Sequence, residues 1–266
     1  MANVAWTHVA RVAASLVVLL TASGCVGTTG GDTFSFEAFA RGAGTGTADA
    51  PYVTGLGYSL VLTRASVHVG AVYVNRAAPT SVSSDTSCTL PGVYAAEVPF
   101  PLDVDALRTE PQAFPALGQG TADLGRSGEV WLTGGDVNDP HDSTVILDVA
   151  GTATLGGARY PFEGALTIGE NRLEPTPPEL PGLKPICKER IVTPIPTDVS
   201  LTRNGRLTLS IDVARMFSNV DFSRLEADED GVYHFDDDPS TANAASNNLY
   251  VGLRASAGVY HLKFEP

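Results

Sequence analysis

Period-two alternation of apolar and polar residues, broken by glycine-rich turns, is the feature that most restricts what this chain can become. Phe34 and Phe36 alternate with Thr33 and Ser35, and Tyr58, Leu60 and Leu62 alternate with Ser59, Val61 and Thr63. Side chains on a strand point to opposite faces in turn, so such runs predict half-buried strands. Val67, Val69, Val72 and Val74 continue the signal, and Glu129 to Thr133 reads as another short strand. Gly156-Gly157 separates Thr144–Ala153 from Arg159–Ile168, and glycine's freedom at positive φ suits a hairpin turn there. Asn204-Gly205 is the strongest turn signal of all, and Val199–Leu201 with Leu207–Val213 is expected to form an antiparallel hairpin around it. The C-terminal Tyr260–Phe264 alternates again and should pair into the sheet.

Helical periodicity is confined to short candidates at Asp103–Leu107 and Val213–Phe217. Many short strands with glycine turns therefore predict an all-β fold, an antiparallel β-sandwich or, as the alternative, an open β-barrel. Long Pro/Gly-rich connections are expected at Arg108–Arg126 and Glu170–Thr197. The absence of a fixed repeat period counts against a propeller or solenoid.

The N-terminus carries an address. Arg11 precedes the apolar run Val12 to Leu20, followed by Thr21-Ala22-Ser23-Gly24-Cys25. A basic residue, a short apolar stretch and small residues before a cleavage point mark a secretory signal too short to span a membrane stably. With its terminal cysteine, Met1 to Cys25 resembles a bacterial lipoprotein signal. The resemblance implies cleavage before Cys25 and lipidation of its thiol. It divides the chain into a signal peptide (1–24), a lipidated cysteine and flexible tether (25–31), and one β-sandwich domain (32–266). The six residues from Val26 to Gly31 would span only about 13 Å as a random coil, keeping the domain close to the membrane. Val26 stands where the retention signal of enteric lipoproteins is Asp, which favours the outer membrane over the inner.

Lipidation of Cys25 would leave Cys88 and Cys187, and in an exported chain a remaining pair is expected to form a disulfide between two loops. The formal net charge of −13 repels phosphate backbones, so nucleic acid is not an expected partner and membrane attachment rests on the lipid.

Four constellations could carry chemistry. Asp228, Asp230, Asp236, Asp237 and Asp238 gather carboxylates within eleven residues, with Asp136, Asn138, Asp139 and Asp142 on an earlier loop, the donor type that calcium takes. The spacing is not that of an EF-hand. His68, His141, His234, His261 and Met216 are the candidate copper ligands, although strand parity points His68 and His261 outward. Hydrolysis would need a convergent site, with His141–Asp142 or His234–Asp236 as a base pair, because no nucleophile elbow is present. Lastly, Trp131, Tyr73, Tyr94, Tyr160, Tyr233 and Tyr250 could form a sugar-stacking platform on a sheet face.

Phe34–Val74, with Tyr58-Ser59-Leu60-Val61-Leu62-Thr63-Arg64-Ala65, and Leu207–Phe222, with Ser210-Ile211-Asp212-Val213-Ala214-Arg215-Met216-Phe217, resemble exported β-sandwich lipoproteins of unassigned function. Some of these are similar to copper-binding partners of periplasmic haem peroxidases, but no metal motif stands at a matching position here. The reading that follows is a lipid-anchored, non-catalytic binding or scaffolding module of the cell envelope, with an envelope protein or glycan as partner. The alternatives are a calcium- or copper-binding envelope carrier and a hydrolase. Replacing Cys25 with Ala is expected to release the protein into the soluble fraction on detergent-free fractionation; a variant that stays with the membranes would overturn the anchor.

Overall fold

The computed structural model describes residues 32–77, 94–139, 141–170, 185–238 and 241–266. In chain order the strands are β1 (Thr33–Gly42), β2 (Tyr52–Val53), β3 (Ser59–Val69), β4 (Ala71–Asn75), β5 (Tyr94–Val98) and β6 (Leu102–Asp105). They continue with β7 (Gln112–Ala113), β8 (Gly118–Thr121), β9 (Leu124–Trp131), β10 (Val145–Leu155) and β11 (Ala158–Thr167). The last are β12 (Ile191–Ser200), β13 (Arg206–Ile211), β14 (Glu226–Ala227), β15 (Tyr233–His234) and β16 (Tyr260–Glu265). Two helices, α1 (Cys187–Arg190) and α2 (Ala244–Leu253), and 3-10 turns at Val213–Phe217 and Phe222–Arg224 complete the described elements.

The strands form two packed, predominantly antiparallel sheets. A nine-stranded sheet runs β12-β9-β4-β5-β8-β1-β13-β16, with β7 also beside β1; a seven-stranded sheet runs β14-β15-β11-β10-β3-β2, with β6 also beside β3. The exceptions to antiparallel pairing are β1 with β13 and β11 with β15. The larger sheet curls almost into a barrel. Its end strands β12 and β16 meet without a hydrogen-bonded ladder, through the Thr197 hydroxyl donating to the Leu262 carbonyl at 3.5 Å and through Leu262 lying against Gly128 and Ile195. The seven-stranded sheet stays open.

Ser59 to Asn75 is a run shared by both sheets. β3 lies in the smaller sheet and β4 in the larger, and the chain turns the corner at Gly70. Val67, Val69, Val72 and Val74 on either side are all within 1 % of complete burial, so the corner directs both arms into one core. Gly70 donates its N–H to the Trp131 carbonyl at 2.8 Å. A Cβ there would sit 2.0 Å from the Thr133 carbonyl oxygen, so only glycine lets the two backbones touch.

The expected alternation is seen in β1, whose Phe34, Phe36, Ala38 and Ala40 turn inward, and in the β10–β11 hairpin, with Gly156 at φ 58° and Gly157 at φ 87°. Several expectations are corrected. Asp103–Leu107 contributes to a strand, not a helix, because Val104 pairs with Val67 and is buried with it. Arg108–Arg126 contains β7, β8 and the start of β9; its glycines are strand residues that make room for large neighbours. A Cβ at Gly118 would lie 2.3 Å from the Phe36 ring, and one at Gly125 would lie 2.2 Å from Val74. Pro194 and Pro196 fall in β12, an end strand with register shifts, where a missing N–H is tolerated.

The turn at Asn204 forms, with φ 62°, but the hairpin does not: β12 pairs with β9, and β13 pairs with β1 and β16. The C-terminal strand enters between the two arms. α2 was not expected. Its Asn243 cap accepts from the Ser246 N–H at 2.9 Å, and Ala245, Leu249 and Leu253 recur every fourth residue on the buried face.

Of the expected Cys88–Cys187 pair, Cys88 lies outside the described residues, as does Cys25, and Cys187 is disulfide-bonded. Cys187 does not sit in a loop as expected: it opens α1, fully buried with Val137 and Ile191 beneath Trp131.

Gly70→Ala should be strongly destabilising, because the atoms it would displace are backbone. We expect about 3 kcal/mol, a fall in Tm of about 6–10 °C for a domain of this size. Thermal unfolding followed by circular dichroism checks this, and a shift of about 1 °C or less would show that the corner can relax.

Candidate functional site

β4 reads Ala-Val-Tyr-Val-Asn, and its valines enter the core while Ala71, Tyr73 and Asn75 take the other face. The ladder register brings further residues beside them. Tyr73 lies opposite Glu97 of β5 and Glu129 of β9, Asn75 opposite Tyr94 and Ser127, and Ala71 opposite Trp131. Three strands thus gather three aromatic rings, two carboxyl groups, an amide and a hydroxyl on one sheet face.

The rings are in mutual contact. Tyr73 and Tyr94 have centroids 4.4 Å apart with planes 31° from parallel, and Tyr73 and Trp131 are 4.8 Å apart at 46°. Each ring is half-buried. Glu129, beneath them, is 0 % exposed. Its carboxylate accepts from Asn75 Nδ2 at 2.8 Å and from Trp131 Nε1 at 3.4 Å. Two buried polar atoms of the cluster, Asn75 Oδ1 and Ser127 Oγ, have no hydrogen-bond partner among the described residues.

Burial sets the electrostatics. It pushes the pKa of Glu129 up, against the lowering effect of the Asn75 and Trp131 hydrogen bonds, and it also raises Glu97. The Tyr73 hydroxyl is pushed up to about 12 by burial, then by the charges of Glu97 and Glu129, and Tyr94 is raised further by the same causes. Both phenols therefore keep their protons at neutral pH. The face offers the half-buried Glu97 carboxyl, the phenol hydroxyls and partly exposed π surface, with Glu129, Asn75 and Ser127 buried beneath.

The other expected sites fare differently. Tyr160 and Tyr233 join Tyr58 in a separate aromatic cluster, and Tyr250 turns to Glu189, to which its hydroxyl donates. The acidic residues are used in turns. Asp228 accepts from the N–H groups of Asp230 and Val232, each at 2.9 Å, and pairs with His234 Nε2 at 2.8 Å, interactions that hold its pKa low. Asp236 accepts from the Asp238 N–H and the Thr241 hydroxyl, while Asp237 accepts from the N–H and hydroxyl of Thr167. Asp230 and Asp238 are exposed. Among the described residues no three His, Cys, Asp or Glu side chains are placed to hold a metal ion. The proposed copper ligands are also dispersed: Met216 is in the core, His68 pairs with Asp103 at 2.6 Å, His261 contacts the Gly258 carbonyl, and His141 is exposed. Neither expected base pair forms as read, since His234 meets Asp228 and Asp142 is held by Thr144.

Sequence reasoning missed Arg190. Completely buried, its guanidinium donates to the carbonyls of Ile168, Val137, Asp139 and Asp142. It holds Val137, Asp139 and Asp142 of the Asp136–Asp142 loop through their backbone oxygens. No local motif announces such a residue, because every acceptor it uses is a distant carbonyl.

Because Glu129 has a folded-state pKa above its unfolded value, the unfolded chain loses that proton first as pH rises, and stability declines through the interval between the two values. Glu129→Gln removes this decline. Its Tm relative to the unsubstituted protein should therefore increase from about pH 4 to about pH 8; a difference that is constant or falls over that range would contradict the assignment. Comparison of the chain with protein-family models, with curated proteins and with solved structures finds no match.

Proposed function

We propose that this protein is a lipid-anchored, non-catalytic glycan-binding module of the cell envelope, a β-sandwich that recognises its ligand on the Tyr73–Tyr94–Trp131 face. The observation that carries the reading is the contact of three half-buried rings beside the half-buried Glu97 carboxylate and the Tyr73 and Tyr94 hydroxyls, which together supply stacking surface, donors and acceptors. A sugar ring presents C–H groups that pack on aromatic faces and hydroxyls that both donate and accept. An organic cation would be served by rings and carboxylates alone and would make no use of the protonated phenols. Anchoring through Cys25 and the short tether at 26–31 would hold the face near the membrane, with the outer membrane as the favoured location.

One observation favours the hydrolase reading instead. His234 pairs with Asp228 and lies 3.8 Å from Glu163, in a cleft also lined by Glu226, Asp236, Thr241 and Asn243. The hydroxyl of Thr241 in that cleft donates to Asp236 at 2.6 Å and so offers no proton to the histidine. Binding remains the better account.

The chain has two tryptophans, and Trp6 belongs to the segment expected to be removed, so Trp131 would report alone on the mature protein. Titration with a panel of neutral oligosaccharides should change its fluorescence saturably for at least one member. Tyr73→Ala should weaken that ligand about ten-fold, the worth of one good ring contact. No response to any saccharide, or a response that Tyr73→Ala leaves unaltered, would overturn the reading.

A further inference from the structure

On the outward face of β1, β13 and β16 the ladder builds three rungs. Arg41, Ser210 and His261 form one, Phe39, Thr208 and Lys263 the next, and Glu37, Arg206 and Glu265 the third. The chain as a whole carries 30 acidic against 17 basic side chains, yet here three of the basic ones and a histidine converge. The side chains enclose a shallow notch of about 330 Å³ whose lining includes Arg41, Arg206, Thr208, Ser210, Lys263 and the carboxylate of Glu265.

The cations are held in different ways. Arg206 is paired with Glu37 at 3.1 Å and lies over the Phe39 ring, 4.7 Å from its centroid. Lys263 is paired with Glu265 at 2.6 Å. Among the described residues Arg41 forms no such ion pair: its Nε donates to the Ser210 hydroxyl at 3.1 Å, so its two terminal NH2 groups are available to an external acceptor. We propose that this notch binds a compact oxyanion of the phosphate class, received by the Arg41 guanidinium with Lys263 and the Ser210 and Thr208 hydroxyls beside it. Guanidinium groups bind phosphate through paired, charge-assisted hydrogen bonds, and on these rungs the three cations outnumber the two carboxylates, Glu37 and Glu265. The net charge of −13 disfavours long polyanions, so the ligand class is a single phosphate or pyrophosphate group. Free phosphate esters and phospholipid headgroups share this chemistry. The inference does not depend on the aromatic face, which lies on other strands of the same sheet.

The test uses the full mature chain carrying Cys25→Ala, so that any vesicle binding is independent of the lipid. Inorganic pyrophosphate should raise its Tm saturably, with apparent affinity falling as salt is added. In Arg41→Gln, an exposed substitution whose fold is checked by circular dichroism, the affinity should drop about ten-fold, and Lys263→Gln should also weaken it. Co-sedimentation with phosphatidylcholine vesicles, with and without phosphatidylglycerol, separates the sources. Retention on the phosphatidylglycerol vesicles that Arg41→Gln abolishes assigns the notch to a headgroup; pyrophosphate binding without it assigns a soluble phosphate. If neither probe binds, or if binding is unchanged in Arg41→Gln, the proposal is wrong.

Discussion

The contact of Gly70 with the Thr133 carbonyl is where the two sheets become one structure. A strand run that continued straight would keep Ser59–Asn75 in a single sheet. The missing side chain lets the chain turn against the end of β9 instead, and the two valines on each side of the bend then face the same interior. The position of β4, between β5 and β9, follows from that corner, and with it the register that sets Tyr73 opposite both Glu97 and Glu129. The candidate site is thus a consequence of how the sheets are joined.

Inside the curled sheet, space is shared unequally between neighbours. Phe36 occupies the volume that side chains at Gly118 and Gly120 would take, and it meets Phe264 of the last strand edge-on at 5.6 Å. Small residues on β8 opposite a large one on β1 are a packing solution, since a nearly closed barrel must fill its interior without voids. The same logic leaves the seam incomplete. β16 forms its full ladder with β13, while against β12 it has side-chain packing and one hydroxyl contact; Pro194 and Pro196 leave β12 two N–H donors short.

Two carboxylate environments illustrate how charge is managed. Carboxylates of the 228–238 segment are exposed or close to the surface and are spent on turn N–H groups, hydroxyls and His234, which suits ionised oxygens in water. Glu129 is buried among aromatic rings with two side-chain donors and resists ionisation. The residue type alone does not separate them; depth and donor count do. That difference is why a run of aspartates in the sequence is a poor pointer to a ligand site here, and a lone glutamate between Gly128 and Val130 is a better one.

What the sequence by itself determined is local. Alternation in β1, β3 and β4, the Gly156-Gly157 hairpin and the left-handed Asn204 are properties of a few consecutive residues, and they were legible because backbone sterics and a two-residue period act over that range. The helix α2 was legible in principle, from Asn243 and the four-residue spacing of Ala245, Leu249 and Leu253. The glycine-rich β8 and the proline-bearing β12 were not, because their strand character comes from a neighbour, Phe36 in one case and β9 in the other. Only the tertiary structure decided that β16 would divide the Asn204 hairpin, that Arg190 would gather four carbonyls, and that Tyr73, Tyr94 and Trp131 would meet while Tyr160 and Tyr233 went elsewhere. Those outcomes depend on which distant strands pair and in what register, a choice made by the summed burial of the whole core and written in no single segment of the chain.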